Sequence, residues 1–278
     1  MTSFASLRHA LGQLDSLPSV PHIALKILSL KINTDAGERA LLELIGQDPL
    51  ILAKVVGLSN SALFGRGRKI VTLHDATALI GIRRIKMIAL SFAMMSSMAR
   101  KQPGLLNIQN LWQHSLAVAV TMDALSRYMP AESHPADDEI YLAGLLHDIG
   151  FMVLDYLDTR LSDRFHARMA AEPERPVEEI EAEMLEMNHC ELGAELGRHW
   201  NLPEGVIAVL RYHHTPSDPR AAVGQPLVDM AHLAEKLLPT FGISESVRPG
   251  IDEGEWRALG IDPERAAEIM AAVENNIR

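Results

Sequence analysis

The fold is decided by residues 141–150, YLAGLLHDIG, near the middle of the chain. The first six residues are apolar, aromatic or small, and the pair His147-Asp148 follows them directly. Such a run predicts a buried helix. A carboxylate within a buried helical segment is costly unless a metal ion or another cation neutralises it. The stretch therefore predicts a helical core that carries a polar site.

Outward from this stretch, apolar residues recur at helical spacing nearly everywhere, and the alternation that marks β-strands is absent. The sequence therefore predicts an all-α fold. We expect helices over residues 108–128, 139–158 and 227–238, and an appended helical tail over residues 239–278.

Several helix starts have a recognisable cap. Asp48 precedes Pro49, the order expected of an N-cap and a first helical residue. Thr72 and Asp75 have the spacing of a capping box, and Asn188 is placed to cap the helix that follows it.

Composition is that of a folded cytoplasmic protein. The 278 residues are 47% hydrophobic and 22% charged, enough for one large domain or two coupled lobes and unlike a disordered chain. Cys190 is the single cysteine, so no intramolecular disulfide can form, and no signal peptide is visible, as expected in a reducing cytosol. The longest apolar run, Met87 to Met98, is 12 residues and predicts a buried helix, with no membrane partner.

The net charge of −10 is unevenly distributed. Residues 1–100 hold 12 Lys/Arg and 6 Asp/Glu, whereas residues 101–278 hold 14 and 30. An acidic protein is a poor general binder of nucleic acid, and the helix-turn-helix pattern of residues 37–60 has a mostly aliphatic second helix with Lys54 as its only basic residue. We therefore expect no nucleic-acid partner. Some basic residues of the first half could bind an anion locally: Arg66, Arg68, Lys69, Arg83, Arg84 and Lys86. A solvated face is the simpler interpretation of these charges.

Five of the twelve histidines lie in apolar helices or at helix ends: His114, His147, His189, His213 and His214. A lone histidine in such a place is more often a hydrogen-bonded core residue than a ligand, and for each one that interpretation stays open. Five together with Asp148 favour a metal site, because neutral imidazole and carboxylate are good ligands of first-row divalent metals. Asp148 could bridge two ions, as carboxylates do in paired-metal hydrolytic sites.

Most other histidines need no special role. His74-Asp75 is a second His-Asp pair, but Asp75 already has a capping role with Thr72, so we expect this pair to be structural. We expect His199 at a helix end. Polar or loop-like settings predict surface positions for His9, His22, His134 and His166.

Six segments resemble the HDOD signalling family of the HD superfamily of metal-dependent phosphohydrolases. They are LPSVPHIALKIL (17–28), QDPLILAKVVGLSNSALFG (47–65), TLHDATALIGIRRIKMIAL (72–90), LWQHSLAVAV (111–120), YLAGLLHDIG (141–150) and NHCELGAELGRHWNLPEGVIAVLRYHHTP (188–216). The first three are typical of HDOD proteins and not of HD enzymes generally. The resemblance implies an all-α fold, with an N-terminal helical lobe packed on an HD-like helical lobe, and a role in bacterial signal transduction.

The resemblance also implies a domain organisation. Residues 1–13 would be an N-terminal extension and residues 14–216 the HDOD domain. Within that domain, the N-terminal lobe would cover about 14–103 and the HD-like lobe about 104–216. Residues 217–278 would be a C-terminal helical extension that completes the HD-like lobe.

Compared with HD enzymes that hold two metals, the resemblance implies one or two divalent ions, Fe, Mn, Ni or Zn. The first ion would be held by His114, His147 and Asp148, and the second by His189, His213 and His214 with Asp148 bridging. The last ligand of such enzymes is usually an aspartate in a late helix. Here the stretch MAHLAEKLL offers Glu235 instead, with His232 and Asp229 as alternatives on or near the same helix face.

Two departures bear on activity. Related HD-GYP enzymes, which cleave cyclic dinucleotides, carry a lysine after the Ile-Gly, and this chain has Phe151, which cannot supply a charge to a phosphate. The GYP segment is also missing after the paired histidines, where TPSDPR follows. We therefore do not expect cyclic-di-GMP hydrolysis by the known route.

Three hypotheses remain. The leading one is a regulatory or output module that binds a signalling protein partner or a small nucleotide-like ligand and holds metal as a structural or sensing element. The second is an active metal-dependent phosphohydrolase or phosphodiesterase acting on a nucleotide-like phosphoester, with Asp148 as the catalytic residue and Arg83, Arg84 and Lys86 as candidate phosphate contacts. The third is a redox-responsive di-iron protein with Cys190 as a ligand, although a small buried thiol is the simpler interpretation.

Overall fold

The computed structural model describes residues 17–61, 69–98, 104–238 and 250–277, together with Leu7 and Phe64. Within these residues every regular element is helical, which confirms the predicted all-α fold. The α-helices are α1 His22–Ser29, α2 Asp35–Gln47, α3 Pro49–Ser59, α4 Leu73–Ile80, α5 Ile82–Ser96, α6 Ile108–Ser126, α7 Asp137–Leu146, α8 Ile149–Leu157, α9 Thr159–Ala171, α10 Val177–Met184, α11 His189–His199, α12 Glu204–Tyr212, α13 Leu227–Leu237, α14 Glu253–Ala258 and α15 Ala266–Ile277. The 3₁₀ helices are Ala131–Ser133, Pro219–Gly224 and Pro263–Arg265.

The described residues of 20–97, with residues 270–277, form a small compact unit. In it, α5 contacts α1, α2, α3 and α4, and its apolar side chains are almost all buried. Nine of the twelve residues from Met87 to Met98 are buried, so most of the longest apolar run of the sequence is core, as predicted, and only Met98 lies outside this unit.

Side-chain caps fix the helix starts of the small unit. The Asp48 carboxylate accepts hydrogen bonds from the N–H groups of Leu50 and Ile51, with Pro49 at the first helical position, as predicted. The Thr72 hydroxyl oxygen accepts from the Asp75 N–H. The predicted capping box is nevertheless wrong in its second half, because the Asp75 carboxylate accepts the Thr72 hydroxyl proton at 2.8 Å instead of a backbone N–H.

The described residues of 98–269, with residues 17–19, form the large unit. Its core helices are α6, which packs against α7 and α13, and α11, which packs against α8 and α12. Asn188 and Glu191 form a complete capping box at the start of α11, which confirms Asn188 as the cap.

The sequence prediction of one helix over residues 139–158 is wrong. The helix ends at Leu146 and a new one begins at Ile149, and the two are bent by 41°. His147 and Asp148 occupy the break. Because the chain changes direction there, both side chains can face the same point inside the unit.

Two glycines of the YLAGLLHDIG stretch allow close helix packing. A Cβ on Gly144 would come within 2.5 Å of the Ala119 α-carbon on α6, and a Cβ on Gly150 within 1.8 Å of the His189 carbonyl oxygen. Only glycine permits these approaches. They bring α7 against α6 and α8 against the start of α11.

No single helix among the described residues is long and apolar enough to cross a membrane. Only α7 and α8 taken together reach that length and composition, and the 41° bend separates them.

Candidate metal centre

The seven predicted ligands all lie in the large unit, on five different parts of the chain. His114 is in the middle of α6, His147 and Asp148 are at the break between α7 and α8, and His189 is the first residue of α11. His213 and His214 directly follow α12, and Glu235 is in the last turns of α13. The structure brings all seven together.

The centre is almost completely buried. The exposed fraction is 0% for His147, Asp148, His189 and His213, and 2% for Glu235. The His214 side chain retains 8%, beside the half-exposed Glu178 carboxylate, whose oxygen lies 3.6 Å from its Nδ1. The His114 side chain retains 7%, so the slight exposure of the centre is at His214 and at His114.

Asp148 lies at the middle of the cluster. Its Oδ2 is 3.4 Å from the His114 Nε2 and 3.1 Å from the His147 Nε2. Its Oδ1 is 3.7 Å from the His189 Nε2 and 3.6 Å from the His213 Nε2. Each oxygen of one carboxylate thus faces a different pair of imidazoles.

Glu235 contributes a second carboxylate to the cluster, from α13. Its Oε1 is 3.2 Å from the His147 Nε2 and 3.7 Å from the His213 Nε2, and its Oε2 is 3.6 Å from the His214 Nδ1. The two alternatives for this position face elsewhere. The His232 ring pairs with the His213 carbonyl oxygen and with the Glu255 carboxylate, and Asp229 pairs with Gln225.

Three imidazoles are oriented through their Nδ1 atoms. The His147 Nδ1 lies 2.8 Å from the Gly144 carbonyl oxygen, and the His213 Nδ1 lies 2.9 Å from the Val209 carbonyl oxygen. A carbonyl can only accept, so Nδ1 carries the proton and a neutral ring presents a lone pair at Nε2. The His189 Nδ1 donates in the same way to the Glu181 carboxylate at 2.9 Å. Ligating histidines in metal proteins are typically held by such outer partners.

The distances between the imidazole nitrogens fit a bound cation. The Nε2 atoms of His114 and His147 are 3.3 Å apart, and the His189 Nε2 is 3.3 Å from the His213 Nε2 and 3.2 Å from the His214 Nε2. Metal–nitrogen bonds of about 2.0–2.1 Å at tetrahedral angles place two ligating nitrogens about 3.3–3.4 Å apart.

The carboxylates add independent support. Among the described residues, only the facing imidazoles approach the oxygens of Asp148 and Glu235, and no backbone N–H or hydroxyl donates to them, although both groups are buried. Two buried carboxylates beside one another are costly, and a divalent ion would satisfy them. The residues present therefore fit a divalent metal.

The candidate ligand atoms fall into three overlapping groups. One is His114, His147 and Asp148, and another is Asp148, His213 and Glu235. The third is His189, Cys190, His213 and His214. The Cys190 thiol is buried, as the simpler interpretation of the sequence predicts, and it lies among the imidazoles.

Burial and charge shift the pKa values within the centre. Burial lowers the pKa of His114 to about 4 and lowers the pKa values of His213 and His214 well below the ordinary range. Burial also acts to lower the pKa of His147, but Asp148 and Glu235 outweigh it, so that pKa is raised. For His189, the Cys190 sulfur and the Glu181 carboxylate outweigh burial in the same way.

Sequence reasoning missed Glu181 and did not predict the contact that Phe151 makes with the centre. Glu181, 1% exposed, accepts hydrogen bonds from both the backbone N–H and the Nδ1 of His189. Phe151 stacks on the His189 ring with centroids 4.3 Å apart and planes at 19°. Glu181 belongs to the acidic segment VEEIEAEM, and only its spacing from the apolar Val177 and Ile180 could have indicated a buried position.

Several predictions about single residues have a definite outcome. His22 and His134 are exposed and His199 ends α11, as predicted, whereas His9 lies outside the described residues. The surface position predicted for His166 is wrong, because its ring is partly buried against Phe151 and Phe165.

Lys86 does not belong to a solvated basic face. It is 7% exposed, and its Nζ donates to the Leu30 carbonyl oxygen at 3.0 Å within the small unit. Arg66 and Arg68 lie outside the described residues. The second His-Asp pair lies at a helix start, as predicted, with His74 exposed and Asp75 bonded to Thr72, although it does not complete the predicted capping box.

Solved structures share this fold over nearly the whole chain. An HDOD domain protein from Geobacter sulfurreducens superposes with a TM-score of 0.64 at 24% identity, covering 99% of this chain and 98% of the other. A provisionally assigned metal-dependent phosphohydrolase from Shewanella amazonensis SB2B gives 0.62 at 22% identity, covering 99% and 96%. A provisionally assigned signal transduction protein from Marinobacter aquaeolei VT8 gives 0.73 at 22% identity, covering 99% and 65%. These similarities establish the fold.

Sequence comparison identifies the family. An uncharacterised protein of Treponema pallidum (strain Nichols) is 27% identical over 207 residues, which are 73% of this chain and 38% of that relative. The chain therefore spans less than half of the length of this relative. The HDOD domain matches residues 17–216, most of the chain. The chain belongs to the HDOD domain family.

Proposed function

We propose that this HDOD protein is a regulatory module of bacterial signal transduction. It acts through a signalling protein partner or a small nucleotide-like ligand, and its buried histidine–carboxylate centre holds one or two divalent metal ions as a structural or sensing element. Family membership and the relative with a provisional signalling assignment support the signalling role.

The apolar ring beside the centre is the observation that carries this proposal over catalysis. Phe151 fills the place of the phosphate-binding lysine of HD-GYP enzymes and is itself 1% exposed against the His189 ring. A substrate phosphate would meet an apolar ring there.

The test combines metal analysis with an activity screen. Protein purified without an affinity-metal step should contain a divalent metal, and the His147→Ala/Asp148→Ala variant should contain less of it. The wild type, loaded with manganese or iron, should hydrolyse nucleotide and cyclic dinucleotide phosphoesters no faster than that variant. Turnover that the double substitution abolishes would overturn the regulatory proposal in favour of an enzyme.

One observation favours a phosphohydrolase or phosphodiesterase as the second candidate. The two Asp148 oxygens face separate groups of imidazoles at 3.1–3.7 Å, as expected of a carboxylate shared by two ions. A metal pair supplies Lewis acidity for hydrolysis of a phosphoester. In that case Asp148 would hold and orient the centre, and substrate would enter on the His214–Glu178 side.

A further inference from the structure

The Cys190 thiol lies inside the second group of candidate ligands. Its Sγ is 3.4 Å from the His189 Nε2 and 3.9 Å from the His213 Nε2, and the side chain is 4% exposed. Metal–sulfur bonds of about 2.3 Å and metal–nitrogen bonds of about 2.0–2.1 Å at tetrahedral angles place sulfur and nitrogen about 3.6 Å apart. The two observed distances bracket that value.

An ordinary thiol–imidazole hydrogen bond does not account for the whole arrangement. The His189 Nε2 has three neighbours within 3.4 Å, namely the Cys190 Sγ and the Nε2 atoms of His213 and His214. Whether this nitrogen carries a proton or a lone pair, it makes one ordinary hydrogen bond and not three. The Nδ1 proton of His213 is committed to the Val209 carbonyl, so a neutral His213 ring also presents a lone pair and no proton. Several lone pairs directed at one point are the arrangement of ligands around a cation.

We propose that the Cys190 thiolate is a ligand of a second metal subsite, with His189, His213 and His214. The inference rests on the proposed metal-holding function. On binding, a sulfur–metal bond forms and the thiol proton leaves to solvent. A mixed sulfur–nitrogen subsite selects a borderline or soft ion such as Zn²⁺ or Co²⁺ over Mn²⁺ or Mg²⁺, which prefer oxygen ligands. The group around His114 has no thiol and remains a nitrogen–oxygen site.

The test uses Co²⁺ as a spectroscopic probe of the full chain. Because Cys190 is the only cysteine, any sulfur-to-cobalt charge-transfer absorption in the near ultraviolet reports this side chain alone. The wild type should show the absorption when loaded with Co²⁺. Cys190→Ser should lack it while still binding Co²⁺ at the His114 group, and circular dichroism should show that this variant is folded.

A matched variant separates the two subsites. His114→Ala should lose metal from the first group and keep the charge-transfer absorption. In competition assays, Cys190→Ser should weaken Zn²⁺ binding by on the order of tenfold or more and change Mn²⁺ binding little.

The possible failures are distinguishable. Wild-type protein that binds Co²⁺ without the absorption would overturn the Cys190 assignment and leave the metal centre standing. Wild-type protein that binds no Co²⁺ would overturn both the assignment and the proposed metal-holding function.

Discussion

Gly150 and His189 are in backbone contact at the candidate metal centre. A Cβ added to Gly150 would come within 1.8 Å of the His189 carbonyl oxygen, 2.6 Å of its carbonyl carbon and 2.9 Å of its α-carbon. All of these are backbone atoms, so no side-chain rotation can relieve the overlap. The glycine of the HDIG sequence therefore fixes the position of a candidate ligand on another helix.

Gly150→Ala should accordingly destabilise the fold by about 1–3 kcal/mol, the usual cost of overpacking, and weaken metal binding. Denaturant unfolding and a metal titration would measure the two effects. Gly46→Ala is the matched control, because a Cβ there meets nothing within 4 Å inside α2. It should stabilise the fold by about 0.4–1 kcal/mol. Equal effects at both positions would contradict the packing argument.

Metal should stabilise the folded protein through Asp148. A ligand at a hundred times its dissociation constant stabilises the native state by about 2.7 kcal/mol, so the wild-type Tm should rise with added Mn²⁺, which prefers nitrogen and oxygen ligands. Asp148→Asn should lose most of this rise because it removes the shared carboxylate. Asp75→Asn, in the other His-Asp pair, should keep the full rise. A metal-dependent Tm that survives in Asp148→Asn would argue against the proposed centre.

Glu181 should act on the metal through His189. Glu181→Ala removes the acceptor of both the backbone N–H and the Nδ1 of His189, and metal affinity should fall by about 10–100-fold, as for other outer-shell partners. Glu181→Gln keeps an acceptor oxygen and should lose less. Glu179→Ala, on the exposed face of the same helix, should leave affinity unchanged. Chelator competition would rank the three variants, and an equal loss in Glu179→Ala would refute a specific role.

Metal binding should release protons near pH 7. The pKa values of His147 and His189 are raised, so these rings are protonated over a wider pH range than ordinary histidines and must lose protons to ligate. His114, with a pKa lowered to about 4, contributes none above about pH 5. Affinity should therefore keep rising as pH increases beyond 6.5.

Calorimetry in two buffers with different ionisation enthalpies would count these protons. Cys190→Ala separates the thiol proton from the imidazole protons. Heats that do not depend on the buffer would contradict the prediction.

Much of the fold follows from local patterns in the sequence. Helical periodicity and caps such as Asp48 and Asn188 depend on residues close in the chain, and they were predicted correctly. The break at His147 and Asp148 was not, because apolar periodicity continues through residues 139–158 and gives no local sign of a bend. That break results from packing against α6 and α11, which periodicity does not report.

The candidate ligands could largely be predicted from their residue types, whereas the residues that contact those ligands could not. Imidazoles within apolar segments already indicate buried polar groups, and the structure brings the seven predicted side chains together. Glu181 lies in an acidic helix whose sequence predicts a solvent-exposed position. Nothing in the sequence indicates that the Phe151 ring stacks on His189. Both roles are set by tertiary contacts between helices far apart in the chain.

The position of Glu235 shows that the family match ends before the last residue of the candidate metal centre. The family match stops at residue 216, yet the carboxylate facing His147 and His213 comes from α13, after that limit. The same helix supplies His232, which bonds the His213 carbonyl oxygen. A fragment trimmed to the matched residues would keep six of the seven side chains and still present an incomplete set of ligands. Truncated versions of this protein should therefore end after α13. A search for complete ligand sets in other HDOD proteins should include the helix that follows the matched domain.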